Sequence, residues 1–122
     1  MPNLRVYTLS NCDTCRRAVK WLRERCIEFE ERAIRETPPS PAELRTMLQA
    51  CDGEFRPLFN TAGRDYREQK LGEKMPTMSA SAALLLLAEN GNLVKRPFAI
   101  GDGIALVGFN EKTWTEAFRR LG

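Results

Sequence analysis

Two cysteines spaced C-x-x-C, Cys12 and Cys15, stand directly after a short apolar run near the start of the chain. When a helix begins between such residues they lie one turn apart, so both sulfurs can face the same side. The free N–H groups and the positive dipole at a helix N-terminus stabilise a thiolate, and Arg16 and Arg17 add positive charge in that turn. The thiolate is the nucleophilic form of cysteine. The motif therefore predicts a nucleophilic or redox-active site.

Two other interpretations of the C-x-x-C pair stay open. The pair can form half of a zinc site, but such sites need four ligands. The chain has no histidine, and its other cysteines, Cys26 and Cys51, stand alone. The pair can also be two structural thiols, because a free cysteine packs like a small apolar residue. The sequence favours redox chemistry and predicts no metal.

The composition is that of one globular domain over residues 1–122, with 43% hydrophobic and 29% charged residues. The formal net charge is only +3, and acidic residues are interleaved with basic ones, so direct nucleic-acid binding is not predicted. The sequence shows neither a secretory signal nor an apolar stretch long enough to span a membrane. We therefore expect a cytoplasmic protein, and a monomer as the default state. In that compartment thiols are kept reduced, and a disulfide is usually catalytic or sensory.

The residues around the cysteines predict a βαβ unit. Residues 4–9 alternate and favour a first strand, residues 13–25 form an amphipathic helical pattern, and residues 28–34 favour a second strand. Ser10 and Asn11 are the residues expected to cap the helix. Two strands joined by a helix in this way lie parallel, with a right-handed crossover.

A helical insert is predicted at about residues 37–91. Ser40 and Pro41 are typical of the N-cap and the first position of a helix, which runs to about Ala50. Glu43 completes a capping box with Ser40. The other expected elements of the insert are a loop over 55–63, a short helix over 65–71 and a helix over 77–89.

The last part of the chain predicts a β-hairpin followed by a helix. Residues 93–100 and 104–109 are apolar runs joined by Gly101-Asp102-Gly103, which is a strong hairpin signal. An amphipathic helix follows over 110–121 with Trp114, Ala117, Phe118 and Leu121 on its apolar face. The order βαβ, helical insert, ββα, with C-x-x-C at the first strand-to-helix turn, is the thioredoxin arrangement. It predicts an α/β fold with a four-stranded mixed sheet.

Pro97 has two interpretations in this layout. It falls at the start of the third strand, beside the cysteine turn, where a proline is often cis although few X–Pro bonds are. The alternative is an ordinary trans proline on an edge strand.

Several short motifs spread over nearly the whole chain occur together in a known family. They are Tyr7-Thr8, Cys12-x-x-Cys15-Arg16-Arg17-Ala18, Leu58-Phe59-Asn60-Thr61-Ala62-Gly63, Tyr66-Arg67, Lys95-Arg96-Pro97 and Val107-Gly108-Phe109-Asn110-Glu111. Through them the chain resembles the arsenate reductase family of thioredoxin-like proteins, and within it the Spx/MgsR and YffB-like branch. The resemblance implies that Cys12 is the nucleophile and that Arg96 is the basic residue over it. An arginine offers a forked, permanently charged donor to a thiolate or an oxyanion.

The arginines of that family are present only in part. Its arsenate reductases hold a tetrahedral anion with three arginines, of which Arg96 matches one. Asn60 and Gly108 stand at the other two positions. Two missing cations weaken anion binding, which argues against arsenate as the natural substrate, whereas Cys15 supplies a resolving thiol. Asn60 then has two interpretations, orienting a substrate or satisfying the backbone of its own loop.

The resemblance implies two functions. The first is a thiol-disulfide oxidoreductase without a bound cofactor, in which Cys12 attacks a thiol or disulfide substrate, Cys15 resolves the adduct, and glutathione or thioredoxin is the reductant. The alternative is a Spx-type redox-sensing regulator that binds RNA polymerase without turnover. A third reading is a family member whose cysteines serve only as a switch or as core. Beside the two cysteines, the predicted substrate-binding and site-shaping residues are Arg16, Asn60, Arg96 and Pro97.

Three further residues have both a structural and a functional interpretation. Gly53 matches either a glycine at the polymerase interface of Spx-type regulators or a glycine that ends the preceding helix. Cys26 and Cys51, near the ends of the first two predicted helices, are expected to be buried and inert. A rival disulfide through Cys26 is the alternative.

Overall fold

The structure, a computed structural model, describes residues 3–121. The chain divides into two compact units, one made of the segments up to Ala33 and from Arg96 onward, the other running from Ile34 to Lys95. The first unit contains all the strands, and the second contains the predicted helical insert. Within the described residues, no helix has the length and apolar character needed to cross a bilayer.

Four strands form one mixed sheet in the first unit. They are β1 (Arg5–Thr8), β2 (Glu30–Ala33), β3 (Phe98–Gly101) and β4 (Ile104–Val107), in the spatial order β2-β1-β3-β4. β1 and β2 are parallel, while β3 is antiparallel to both β1 and β4. This sheet confirms the predicted α/β, thioredoxin-like fold. It also confirms the hairpin, whose strands β3 and β4 flank Asp102-Gly103.

The predicted third strand begins too early. Leu93 closes a short 3-10 turn that begins at Gly91, and Val94 forms an isolated bridge with Phe59. Pro97 lacks an N–H group and cannot donate to the sheet. It therefore stands immediately before β3, which starts at Phe98.

Two helices, α1 (Asp13–Glu24) and α6 (Glu111–Arg119), build the core of the first unit. Side chains alternate across a strand, so Val6 and Ala99 share one sheet face and pack with both helices. The rings of Trp21 and Trp114 meet edge to face with centroids 5.8 Å apart. The buried members of this core are Leu4, Val6, Ala18, Trp21, Leu22, Ala99, Ile104 and Trp114.

The structure corrects three predictions at the helix ends. Cys12, and not Ser10 or Asn11, caps α1. Cys26 lies beyond the helix in a left-handed conformation with φ 57° and is exposed, not buried. The amides of Cys26 and Ile27 bond back to the last turn of α1 and end the apolar stripe there. At the end of the chain Leu121 lies past α6 and is 52% exposed, so it leaves the apolar face.

The second unit contains α2 (Pro41–Ala50), α3 (Arg64–Glu68), α4 (Leu71–Lys74) and α5 (Ala80–Glu89). The capping box of α2 is confirmed: the Glu43 amide donates to the Ser40 hydroxyl at 3.1 Å, and the Ser40 amide donates to Glu43 at 2.9 Å. The helix predicted over 65–71 is two short helices, because Lys70 has φ 53° and interrupts them. α5 begins later than predicted, with Ser79 as its N-cap.

Gly53 is accounted for by the end of α2. Its amide donates to the Leu48 carbonyl at 2.9 Å, and the Asp52 amide donates to the Gln49 carbonyl at 3.0 Å. This pair of bonds is the pattern that satisfies the last carbonyls of a helix. The first residue after the C-cap, which the sequence suggested to be Gly53, is Asp52, with φ 56°. Cys51, the C-cap residue of α2, is half-buried.

Gly91, in the second unit, lies so close to the backbone of Ile34 that there is no room for a side chain. A methyl group there would lie 1.9 Å from the Ile34 carbonyl oxygen, so the two backbone segments would have to separate. We expect Gly91→Ala to lower the free energy of unfolding by about 2–3 kcal/mol, measured by urea denaturation. Gly72→Ala is the matched control, since the nearest atom there is 3.5 Å away and Gly72 is helical. Equal effects of the two substitutions would contradict the prediction.

Candidate functional site

The turn between β1 and α1 places Cys12 at the N-cap, immediately before the first residue of α1. The Cys12 amide donates to the Leu9 carbonyl at 3.2 Å, which tightens the turn. Its backbone is extended, as an N-cap residue requires, and its carbonyl accepts from the Arg16 amide at 3.0 Å. The Cys12 Sγ accepts from the Cys15 amide at 3.4 Å. A half-exposed sulfur is thus held at the positive end of α1.

Cys15 lies one turn further and belongs to the core. Its side chain is 2% exposed. Burial raises the pKa of the Cys15 thiol to about 12; a backbone hydrogen bond at Leu9 and the charge of Arg96 offset this in part. A hydrogen bond with the Cys12 side chain also favours the neutral Cys15 thiol. The two cysteines therefore differ sharply: one sulfur is reachable, while the other is buried and protonated at neutral pH. All four cysteines of the chain are free thiols.

Arg96 and Pro97 lie in the same unit as the cysteines. Arg96 is half-buried, and its charge acts on the Cys15 thiol. The Arg96–Pro97 peptide bond is cis, which confirms the first interpretation of Pro97. Pro97 is buried, and its carbonyl accepts from the Gly108 amide at 2.9 Å.

The other two predicted substrate-binding residues have structural partners. Arg16 forms an ion pair with Asp13, and its guanidinium also donates to the Ser10 carbonyl at 3.3 Å, within the cysteine turn itself. In the second unit, the Asn60 amide donates to the Leu93 carbonyl at 2.8 Å, and the Asn60 carbonyl accepts from Gly63 at 3.1 Å. These bonds involve only the backbone of Asn60, so the loop interpretation of its side chain stays a prediction as well. A substrate-binding role for either residue stays a prediction.

A cleft of about 450 Å³ opens beside α1 and reaches Cys15. It is bounded by the turn after β1, by one side of α1 and by Glu31 of β2. Its apolar wall includes Leu9, Cys15 and Val19, and its charged groups are Arg16, Lys20, Arg23, Glu24 and Glu31. Cationic and anionic groups therefore surround an apolar floor that leads to the buried thiol.

Glu31 is the residue of this cleft that the sequence reasoning missed. The Thr8 hydroxyl, 6% exposed at the end of β1, donates to Glu31 Oε2 at 2.7 Å. The sequence of the second strand could have indicated this position. Glu31 lies two residues from both Phe29 and Ala33 and so shares their sheet face. Glu31 itself is exposed, with 43% of its side-chain surface accessible, so its carboxylate is in contact with solvent.

The two alternatives to redox chemistry can be compared with this geometry. Within residues 3–121, no group of three or more histidine, cysteine or acidic side chains is arranged to hold a metal ion. Cys15 is buried as a structural thiol would be, but Cys12 is half-exposed at the helix N-terminus. The arrangement can present one thiolate to a reactant and keep a second thiol one turn away.

The mixed sheet and the C-x-x-C turn at the start of α1 define a thioredoxin-like protein. The chain belongs to the ArsC family, whose sequence model matches residues 7–117. This confirms the resemblance found in the sequence.

Individual relatives extend the match over nearly the whole chain. YusI of Bacillus subtilis is 40% identical over 114 residues, which cover 93% of this chain and 97% of YusI. The global transcriptional regulator Spx of Enterococcus faecalis is 33% identical over 108 residues, covering 88% of this chain and 80% of Spx. The crystal structure of an ArsC-family-related protein from Bacteroides fragilis superposes with a TM-score of 0.88 at 36% identity, covering 94% and 97% of the two chains.

The raised pKa of Cys15 predicts a distinctive dependence of stability on pH. Because the folded-state pKa of about 12 exceeds the ordinary value of 9.0, the neutral thiol contributes stability that is complete below pH 9.0 and is lost towards pH 12. We expect the free energy of unfolding of the wild type to fall, relative to Cys15→Ala, by up to about 1.4 kcal/mol per pH unit in this window. Urea denaturation under reducing conditions measures it.

The exposed Cys26 supplies the control for this pH dependence. The difference in unfolding free energy between the wild type and Cys26→Ala should show no comparable slope. If the difference from Cys15→Ala were also independent of pH, Cys15 would not be the buried, protonated thiol described above.

Proposed function

We propose that this chain is a thiol-disulfide redox protein of the ArsC family, with Cys12 as the nucleophile and Cys15 as the resolving thiol. The observation that carries the proposal is the hydrogen bond of 3.4 Å from the Cys15 amide to the Cys12 Sγ. This bond stabilises negative charge on the Cys12 sulfur and keeps Cys15 next to it. Both effects are what a dithiol mechanism needs.

The reaction proceeds in two exchanges. The Cys12 thiolate attacks one sulfur of a substrate disulfide, forms a mixed disulfide and releases the other half of the substrate as a thiolate. Cys15 then loses its proton and attacks the Cys12 sulfur, which releases the second thiolate and leaves a Cys12–Cys15 disulfide. Two electrons pass from the protein to the substrate, and glutathione or thioredoxin returns them.

Arg96 is the residue we propose to stabilise the anionic sulfur during these exchanges. Its charge already acts at Cys15, and an arginine stays protonated throughout the physiological range. Arg96 is the only one of the three family arginine positions that keeps its cation, since Asn60 and Gly108 occupy the others. A thiol or disulfide substrate therefore suits the site better than a tetrahedral oxyanion.

Three variants, each with one cysteine replaced by serine, test the proposal. After exposure to glutathione disulfide, the wild type should form a Cys12–Cys15 disulfide that glutathione reverses, whereas Cys15→Ser should accumulate a mixed disulfide on Cys12. Cys12→Ser should form neither species, and the rate at which glutathione disulfide modifies the C-x-x-C motif should fall at least about 10³-fold, because Cys15, the remaining thiol of the motif, is buried and protonated. Differential alkylation with peptide mass mapping identifies each species. Cys26→Ser, at an exposed position, is the control that should behave as the wild type.

Two results would contradict the proposal. One is that Cys12 and Cys15 stay free thiols at every ratio of glutathione to glutathione disulfide. The other is that the disulfide forms, but NADPH-coupled assays with glutathione or thioredoxin show no turnover on a disulfide or a glutathionylated peptide. The second result would favour a switch without catalysis.

A Spx-type regulator is the second function that we consider, and the similarity to Spx of Enterococcus faecalis favours it. In this case the Cys12–Cys15 disulfide changes a surface that binds RNA polymerase. The reduced and oxidised wild type, immobilised separately, should then retain different amounts of purified RNA polymerase, and Cys12→Ser should retain the same amount under both conditions. No retention in either state would exclude the regulator hypothesis for the polymerase tested.

A further inference from the structure

The resolving step poses a problem of proton transfer. Cys15 is 2% exposed and must become a thiolate before it can attack the mixed disulfide on Cys12. Histidine, the usual proton acceptor near neutral pH, is absent from the chain. The acceptor must therefore be solvent or a carboxylate that shares a water-accessible space with Cys15. The cleft beside α1 provides such a space, and it contains Glu24 and Glu31.

We propose that Glu31 accepts the proton of Cys15 in the resolving step, through water in the cleft that both residues line. The inference rests on the proposed function, because it concerns the second exchange of that reaction. It assigns a chemical role to a side chain that the motifs of the family resemblance do not include.

The register of the sheet places Glu31 on the correct side. Glu31 pairs with Val6, and paired residues of neighbouring parallel strands project to the same face. Val6 packs in the core with α1, so Glu31 lies on the same sheet face as α1, at an exposed position beside the helix. Thr8, two residues after Val6 on β1, lies on that face as well. The carboxylate therefore projects towards the side of α1 that carries Cys15.

The hydrogen bond from Thr8 holds the carboxylate in place. Thr8 is buried at the end of β1, and its hydroxyl donates to Glu31 Oε2 at 2.7 Å. The other carboxylate oxygen, Oε1, faces Arg23 at 4.0 Å. A carboxylate whose orientation is restricted by a hydrogen bond accepts a proton more efficiently than one that rotates freely. A cleft of about 450 Å³ has room for the water that carries the proton.

The charged groups around Glu31 come from two elements. Arg16, Lys20, Arg23 and Glu24 face it from α1 across the cleft. On β2 itself, the neighbouring Arg32 is paired with Glu30 at 2.8 Å. Glu24 and Glu31 are both exposed, but among the residues that the structure describes no hydrogen bond fixes the Glu24 carboxylate. Glu31 is therefore the better placed of the two acids.

The proposed step is balanced in atoms and electrons. Water relays the proton from the Cys15 thiol to the Glu31 carboxylate while the Cys15 sulfur attacks the Cys12 sulfur. The bond between Cys12 and the substrate sulfur breaks, the substrate half leaves as a thiolate, and the Cys12–Cys15 bond forms. Glu31 then returns its proton to solvent or to the departing thiolate.

The pH dependence of the resolving step tests the inference. Glutathione disulfide is mixed with the reduced protein, samples are quenched in acid, and intact mass follows the conversion of the glutathione adduct to the intramolecular disulfide. In the wild type this rate should be nearly flat around neutral pH, because the step does not depend on the small fraction of Cys15 that is already a thiolate. In Glu31→Gln it should be about 10²-fold slower. It should also rise tenfold per pH unit, because only the small thiolate fraction reacts.

Matched variants separate this role from a structural one. Glu24→Gln removes the same charge from the same cleft and should keep the flat profile of the wild type. Thr8→Ser retains the hydroxyl and should also keep it, whereas Thr8→Val should slow resolution without slowing formation of the adduct. Formation of the adduct at Cys12 should be unchanged in Glu31→Gln.

The outcomes distinguish the inference from the proposed function. If the wild type forms the adduct and resolves it with a tenfold rise per pH unit, or if Glu31→Gln resolves as fast as the wild type, Glu31 is not the base, while the dithiol mechanism stands. If the wild type forms no adduct or no intramolecular disulfide, the proposed function itself fails. A wild-type rate that is flat and a Glu31→Gln rate that is slow and steep would together support both.

Discussion

The packing of α1 against the sheet is the constraint on which the chemistry of this molecule depends. The residues that α1 buries are Cys15, Ala18, Val19, Trp21 and Leu22, which recur at helical spacing. This stripe fixes the rotation of the helix, and the length of the turn after β1 fixes its first residue. Cys12 is then the N-cap residue, half-exposed, and Cys15 is buried three residues later. One amphipathic pattern thus assigns different environments to two chemically identical side chains.

This difference has opposite consequences for the two thiols. The helix N-terminus surrounds the Cys12 sulfur with N–H groups and a positive dipole, whereas the desolvated core favours the neutral form of the Cys15 thiol. In the proposed reaction the first environment suits Cys12 as the nucleophile, and the second keeps Cys15 neutral until the resolving step. In that reaction Cys15 must lose its proton before it can attack the Cys12 sulfur, and burial makes this loss harder. Burial of Cys15 and the cleft that reaches it are therefore two parts of one arrangement.

Local signals in the sequence predicted the parts of the fold that local interactions decide. The capping box at Ser40 and Glu43 and the hairpin at Asp102-Gly103 were correct, because neighbouring residues determine them. Cys26 was placed wrongly because the helical pattern continues past the point where backbone bonds to the last turn end α1. The cap at Cys12 was missed because oxygen-bearing Ser10 and Asn11 are stronger N-cap residues than cysteine.

The site could be predicted only as far as its covalent motif. The C-x-x-C spacing predicts Cys12 and Cys15 as site residues, and the family resemblance predicts Arg96 and Pro97. The contact between Thr8 and Glu31 joins residues 23 apart in the chain, and it depends on the register of two parallel strands. No spacing rule carries register information, since a one-residue shift would turn Glu31 to the other face. The sequence therefore predicts the residues of the motif, whereas the pairing of distant strands is seen only in the structure.

Gly108 connects the fold of this chain to the kind of reactant it can accept. It follows β4 with φ 70°, its amide donates to Pro97, and its carbonyl accepts from the Trp114 indole at 3.1 Å. An arginine there would adopt a backbone conformation that side chains with a Cβ disfavour, at a cost of about 1 kcal/mol. This backbone thus favours glycine at one of the positions where the family's arsenate reductases carry a cation. A tetrahedral oxyanion needs several cations at once, whereas a thiolate needs one cation and a sulfur to react with. In the proposed function, Arg96 is that cation and Cys15 is that sulfur.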